Sequence, residues 1–187
     1  MDLTKGFKLS GMILAIALSC SACQVLVPKA QGLIAPSWVA QSYQRQDQIE
    51  VEWNKHSFSF LLYQQQQANQ LEMIALSLTG QQLFKLSFDG QKVDVQQRID
   101  QMKYLPFEYV VRDILYATYP NFAALQNEKV RVEKQDSSEK VYIQQQVVLE
   151  ISHRSDTIEL NNVQVPYQMV ISAMSDSLEN DEDLDAQ

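Results

Sequence analysis

The side chains able to do chemistry are few and widely separated. Cys20 and Cys23 are the two cysteines. Both sit near the start of the chain, and none remains deeper for a disulfide, a thiolate nucleophile or a metal cluster. His56 and His153 are the two histidines. Neither stands in an H-x-x-x-H pattern, so no metal site is expected, and His153 beside Arg154 and Ser155 reads as part of an exposed turn. Asp113 falls among the apolar positions of a helix pattern. A carboxylate there either gates or grips a polar head group, or is a structural partner for Arg112, Tyr109 or a backbone N–H, which is the commoner use of a carboxylate near a core. With five glycines, no glycine-rich phosphate loop and no G-x-S-x-G elbow, the expectation is a non-catalytic chain without cofactor. A Ser/His/Asp triad assembled from distant positions stays as a third reading.

Asp113 must be placed by the stretch 105–120, LPFEYVVRDILYATYP. Phe107, Val110, Val111, Ile114, Leu115 and Thr118 recur at helical spacing, which makes one flank apolar, while Glu108 and Arg112 lie toward the other. Pro106 suits a first helical turn, where its missing N–H costs nothing. Pro120 pushes Tyr119 out of the helical region and ends the run.

Around that helix the chain reads as strands. Ile49, Val51 and Trp53 alternate with polar residues, and Phe58, Phe60 and Leu62 alternate with Ser57, Ser59 and Leu61. Gln64 to Gln67 with Asn69 read as a loop or strand end, and Ile74, Leu76 and Leu78 share one face before a Thr79-Gly80 turn. Phe84, Leu86 and Phe88 share another. Asp89-Gly90 marks a tight primed hairpin turn leading to Val93 and Val95. Val130 to Lys134, Val141 to Ser152 and Thr157 to Ala173 follow, the last broken near Asn161-Asn162. Eight or so strands joined by short polar turns form an antiparallel meander, which curls. The expected fold is mainly β (α+β), a strongly curved antiparallel half-barrel with a central amphipathic helical lid. The strand residues Phe58, Phe60, Leu62, Ile74, Leu76, Leu78, Phe84, Leu86 and Phe88 then face Phe107, Val110, Val111, Ile114 and Leu115 of the helix. Either loops complete an ordinary core, or these residues line a cavity for an apolar guest.

The ends differ from this body. Residues 1–22 carry Lys5 and Lys8, an apolar run from Met12 to Leu18 and small residues before a cysteine, the layout of an export signal. Residues 23–38 contain Pro28, Gly32 and Pro36 without periodicity and read as a tether, and a short helix fits within 37–48. The domain proper is expected over 39–175. Residues 176–187 hold six carboxylates and no cation, an acidic solvated tail that supplies six of the eight net negative charges. The body is thus nearly balanced, and no basic surface for nucleic acid is present.

Two resemblances refine this reading. The first 23 residues resemble a bacterial lipoprotein signal with its lipobox. Cys23 follows Ser21 and Ala22 and is favoured as the acylated residue, with Cys20 as the alternative. Gln24 in place of aspartate implies sorting to the outer membrane. The curved sheet with a helical lid resembles the LolA/LolB lipoprotein-localisation fold. More closely, LPFEYVVRDILYATYP is similar to L-P-x-x-Y-x-x-x-D-x-x-x-A-x-x-P, a segment of an uncharacterised family of outer-membrane lipoproteins often encoded beside aryl polyene biosynthesis genes. Leu105, Pro106, Tyr109, Asp113, Ala117 and Pro120 match it, while Tyr119 and Leu115 depart from it. The resemblance implies a lipid-anchored protein on the periplasmic face of the outer membrane that binds or receives an apolar lipid or lipidated ligand, with a periplasmic carrier protein as partner. A structural adaptor with a filled core, docking a protein through its lid or tail, is the alternative.

Overall fold

The structure, a computed structural model, describes residues 29–126 and 129–174. The expected signal (1–22), the lipidation candidates Cys23 and Cys20, and the acidic tail (176–187) lie outside the described residues.

Ten strands are found among the described residues. They run β1 (Gln44–Trp53), β2 (His56–Gln67), β3 (Gln70–Leu76), β4 (Gln82–Phe88), β5 (Val93–Arg98), β6 (Val130–Gln135), β7 (Ser138–Ile143), β8 (Gln146–His153), β9 (Thr157–Asn162) and β10 (Tyr167–Ala173). All pair antiparallel in one sheet of order β5-β4-β3-β2-β1-β10-β9-β8-β7-β6. Two five-strand meanders therefore meet where β1 pairs with β10, with Ile49 opposite Ile171 and Val51 opposite Met169. The sheet is not closed into a barrel, since β5 and β6 remain its outer strands. A mainly β fold of this width, wrapped on one helix, is consistent with a curved half-barrel.

The chain must pass from one outer strand to the other. It does so through a 3₁₀ turn (Asp100–Tyr104), the helix α1 (Phe107–Thr118) and a second 3₁₀ turn (Phe122–Leu125). Helix α1 lies against both β5 and β9. Its limits follow from the flanking prolines: Pro106 is the residue just before the helix, and Tyr119 is extended at φ −84°, ψ 129°, as the residue before a proline must be. Phe107, Val110, Val111, Ile114 and Leu115 are buried as the spacing predicts, and they join Phe60, Leu62, Phe84, Leu86 and Phe88 in one core.

Several expectations need correction. Ile74 and Leu76 are only half-buried, because the inward residues of β3 are Leu71, Met73 and Ala75. The pairing puts Ala75 beside Leu62 and Ile74 beside Tyr63, on the outer face. Since β3 is apolar on both faces, alternation cannot say which is inside. Leu78 is 65% exposed, beyond the end of the strand, and Phe58 is half-buried. Gln64 to Gln67 belong to β2, with Gln64 and Gln66 buried. No helix forms within 37–48, where irregular chain leads into β1. The run Val141 to Ser152 is two strands, because Gln144 and Gln145 take φ of 50° and 70° in a two-residue primed turn. The Asp89-Gly90 hairpin exists, but with a four-residue link in which Gly90 has positive φ (88°) and Asp89 does not. There the Asp89 carboxylate accepts the N–H groups of Gln91 and Lys92, at 2.9 Å each.

Candidate functional site: the helix, its strap and an adjoining cleft

The described part of the expected tether, residues 29–38, is a strap laid on α1. Ala30, Leu33, Ala35 and Trp38 are buried. Glu108, Arg112 and Tyr116 stand four residues apart on one helical stripe, and each binds the strap's main chain. The Ala30 N–H donates to Glu108 Oε2 (3.0 Å), Arg112 Nη1 donates to the Gln31 carbonyl (3.0 Å), and Tyr116 OH donates to the Gly32 carbonyl (3.1 Å). The flank of α1 that carries Glu108 and Arg112 is therefore covered by the strap. Beyond Gly32, the Ala35 N–H donates to the Gly90 carbonyl (2.7 Å) and Trp38 Nε1 to the Asn69 carbonyl (3.0 Å). The Trp38 ring stacks on Tyr119 at 4.8 Å and meets Phe88 edge-on at 5.1 Å.

Gly32 is required twice over. Its φ is +73°, and an added Cβ would lie 2.2 Å from Ile143 Cδ1 and 3.0 Å from Tyr116 OH. Gly80 shares the positive φ (+84°) but has open space. Gly80→Ala is expected to cost roughly 1–2 kcal/mol, the left-handed penalty alone. Gly32→Ala is expected to cost more, by whatever the Ile143 side chain must give up in moving aside. Urea unfolding of the two variants checks this, and equal losses would mean that the strap is not held tightly at Gly32.

Beneath the strap lies a buried ionic cluster. Arg112 Nε donates to Asp113 Oδ1 (2.7 Å), and both residues are fully buried. Asn162 Nδ2 donates to Asp113 Oδ2 (2.6 Å), and Tyr167 OH donates to the same oxygen. Arg112 Nη1 also donates to Gln164 Oε1 (2.6 Å), while Arg112 Nη2 has no partner among the described residues. Burial pushes the Asp113 carboxyl above its ordinary range, against the opposing pull of Arg112. Tyr167 is raised well above its ordinary value by burial and by the Asp113 charge. With both Asp113 oxygens engaged and no exposed surface, this arrangement pins α1 to β9 and β10. Of the partners considered for Asp113, Arg112 is present, and Tyr109 lies over the guanidinium, its ring 5.1 Å from Arg112 Cζ.

A second polar cluster closes the C-terminal end of α1. Asp47 continues the inward phase of Ile49 and Val51, and Gln64 and Gln66 continue that of Phe60 and Leu62. Asp47 binds Arg45 at 2.7 Å and accepts from Gln64 Nε2 at 3.3 Å. Tyr43 OH lies 3.1 Å from Thr118 Oγ1, and burial pushes its phenol up to about 12. Tyr119 OH donates to Gln66 Oε1, and Gln66 Nε2 donates to the Val39 carbonyl at 2.9 Å. Sequence reading missed Tyr43, Asp47, Gln64, Gln66, Asn162 and Tyr167. The signal for Asp47, Gln64 and Gln66 was present, since each keeps its strand's two-residue phase.

Beside this end opens a cleft of about 410 Å³, bordered by residues 116–124 and by Val132, Lys134, Glu139 and Val141. Of the motif residues, Ala117 and Pro120 line it; Leu105, Tyr109 and Asp113 are buried, and Pro106 precedes α1. None of the residues expected to line a cavity borders it. The inward ones among them pack on one another instead: Phe60 meets Phe84 edge-on at 5.4 Å, and Phe84 meets Phe107 at 5.0 Å. His56 stacks between Phe58 and Tyr104, and His153 Nε2 lies 3.3 Å from Glu139. Among the described residues no group of three or more His, Cys, Asp or Glu side chains is placed to hold a metal ion.

Comparison with known proteins adds one match. A family described as "protein of unknown function (DUF3261)" matches residues 44–175, from the first residue of β1 to just past β10. The strap lies outside that match. No curated protein matches the sequence.

Proposed function

The chain belongs to the DUF3261 family, and we propose that it is a non-catalytic outer-membrane lipoprotein that binds or receives a lipid-like or lipidated molecule in the periplasm. The observation that carries this reading is the cleft of about 410 Å³ where the end of α1 and the second 3₁₀ turn leave the open sheet. Its size is within the roughly 300–1,000 Å³ of small-molecule sites. Its walls suit an amphiphile: Ala117, Phe122, Val132 and Val141 are apolar, and Lys134 and Glu139 add paired charges 2.9 Å apart. Each methylene moved from water into such a site contributes about 0.8 kcal/mol, so part of an acyl or polyene chain is enough for useful affinity. In this reading the sheet and helix form a LolA/LolB-like half-barrel. Cys23, or Cys20 in its place, carries the acyl anchor on the periplasmic face, and a periplasmic carrier protein delivers the guest, an aryl polyene lipid or a lipoprotein. Tethering then raises the local concentration of donor and acceptor.

The test is mass spectrometry of whatever extracts with the full chain from native membranes, together with titration of a fluorescent fatty acid. Ala117→Trp, which fills the cleft, is expected to weaken binding of the fatty acid about tenfold or more, the loss of one to two buried methylenes. A chain that carries no lipid and binds no probe would remove the reading.

A second reading, a structural adaptor docking a protein partner, is supported by the interlocked rings of Phe60, Phe84 and Phe107, which fill the space between sheet and helix. Removal of residues 176–187 separates the two. Loss of function on removing the tail favours an adaptor that docks through it, whereas lipid binding and function that both survive the deletion favour the carrier.

A further inference from the structure

We propose that the strap, residues 29–38, is the latch on the cleft's inner wall, and that its release lets the cleft deepen toward the core and admit a long single-chain amphiphile. The inference rests on the lipid-binding reading. Three rings that border the cleft, Tyr116, Tyr119 and Phe122, are also the rings against which the strap is seated. Tyr116 donates to the Gly32 carbonyl, Tyr119 stacks on Trp38, and Phe122 meets Trp38 edge-on at 6.5 Å. Phe122 in turn packs on Tyr116 at 5.0 Å and on Phe88 of the core at 6.5 Å. With the strap seated, these rings form a closed partition between the cleft and Phe88.

The strap is attached in a way that permits release. Its bonds to Glu108, Arg112 and Tyr116 all run through main-chain atoms of residues 30–32, Ser37 and Ala35 add main-chain bonds to Leu125 and Gly90, and the Trp38 side chain, bonded to the Asn69 carbonyl, is the anchor that release must withdraw. None of the sheet's own ladder passes through it. Exposed residues 39–42 and the buried Tyr43 join it to β1, and the strap can lift about this joint while Tyr43 and the Gln66 bond to the Val39 carbonyl hold the linker on β2. When Trp38 leaves, Tyr119 and Phe122 lose the ring that backs them, and the partition can part. A short tail fits the cleft as it stands, whereas a long one needs the added depth.

Glu108 allows a test outside the cleft, because among the described residues its carboxylate is hydrogen-bonded to the Ala30 N–H alone, and it does not line the cavity. The full chain in mild detergent is titrated with octanoyl and palmitoyl probes that carry the same fluorophore, and amide hydrogen exchange over residues 32–38 is measured in parallel. Glu108→Ala should speed exchange of those amides and raise the palmitoyl association rate about fivefold, the effect of one lost hydrogen bond on the released population, with the octanoyl rate unchanged. Glu108→Gln, which keeps an acceptor oxygen, should behave as the unaltered chain. Faster strap exchange with no change for the palmitoyl probe, or an equal change for both probes, would overturn the latch while leaving the lipid-binding reading in place. If neither probe binds any variant, the lipid-binding reading itself falls and the latch with it.

Discussion

Exchanging Asp113 for alanine is expected to lower the unfolding free energy by about 3–5 kcal/mol, because it leaves the Arg112 guanidinium buried without its counter-charge. Arg112 is fully covered and one of its nitrogens already lacks a partner among the described residues. The same change removes the acceptor for Asn162 and Tyr167. Urea unfolding monitored by tryptophan fluorescence gives the number. Replacing both charges together, Arg112→Met with Asp113→Leu, should recover much of the loss, since no charge is then stranded. If the double variant were as unstable as Asp113→Ala, the cluster's contribution would lie in its hydrogen bonds and not in charge balance. The pH dependence has a definite sign. Burial holds the folded-state pKa of Asp113 above its ordinary 3.8, so the proton is bound more tightly in the folded state than in the unfolded one. The contribution is fully present below the ordinary value and is lost as pH rises through the folded value. Stability of the unaltered chain relative to Asp113→Asn should therefore fall over that window as pH rises.

The second large effect concerns Trp38. Trp38→Ala is expected to cost about 3–5 kcal/mol, the range for emptying a buried aromatic site. The side chain is 7% exposed, packs on Phe88, Tyr119 and Phe122, and uses its Nε1–H on the Asn69 carbonyl. Its removal opens a void at the junction of β4, α1 and the second 3₁₀ turn. A fragment cut at the limits of the family match, 44–175, loses all of this and also uncovers Arg112, so it should unfold at lower urea than the full chain and bind a hydrophobic dye. Equal stability of the two would show that the strap rides on a core already complete without it. The practical consequence is that the folded body includes Ala30 to Trp38, which lie before the family match.

The two residues differ in how far local sequence exposes them. Asp113 stands out because a carboxylate interrupts an apolar helical run, a local anomaly visible in a dozen residues. Trp38 falls in a stretch, 23–38, that reads as a tether because it has prolines and a glycine and no periodicity. Periodicity reports regular elements that bury one face. A strap buries single side chains at irregular intervals and bonds through its main chain, so it leaves no repeating pattern to read.

The amino-acid sequence by itself determined the helix and its limits to within two residues, the antiparallel succession of strands, and the alternation that makes Phe60, Leu62, Phe84, Leu86 and Phe88 inward. Each depends on neighbours close in the chain: proline sterics, the 3.6-residue turn and the two-residue pleat. Only the tertiary structure decided which face of the doubly apolar β3 is inside, that Gln64 and Gln66 turn inward to meet Tyr43, Asp47 and Tyr119, and that the N-terminal segment covers Arg112. Those outcomes depend on pairing register and on contacts between residues far apart in the chain, 81 positions between Gln31 and Arg112. Local sequence carries no record of a partner that distant; the folded chain has to supply it.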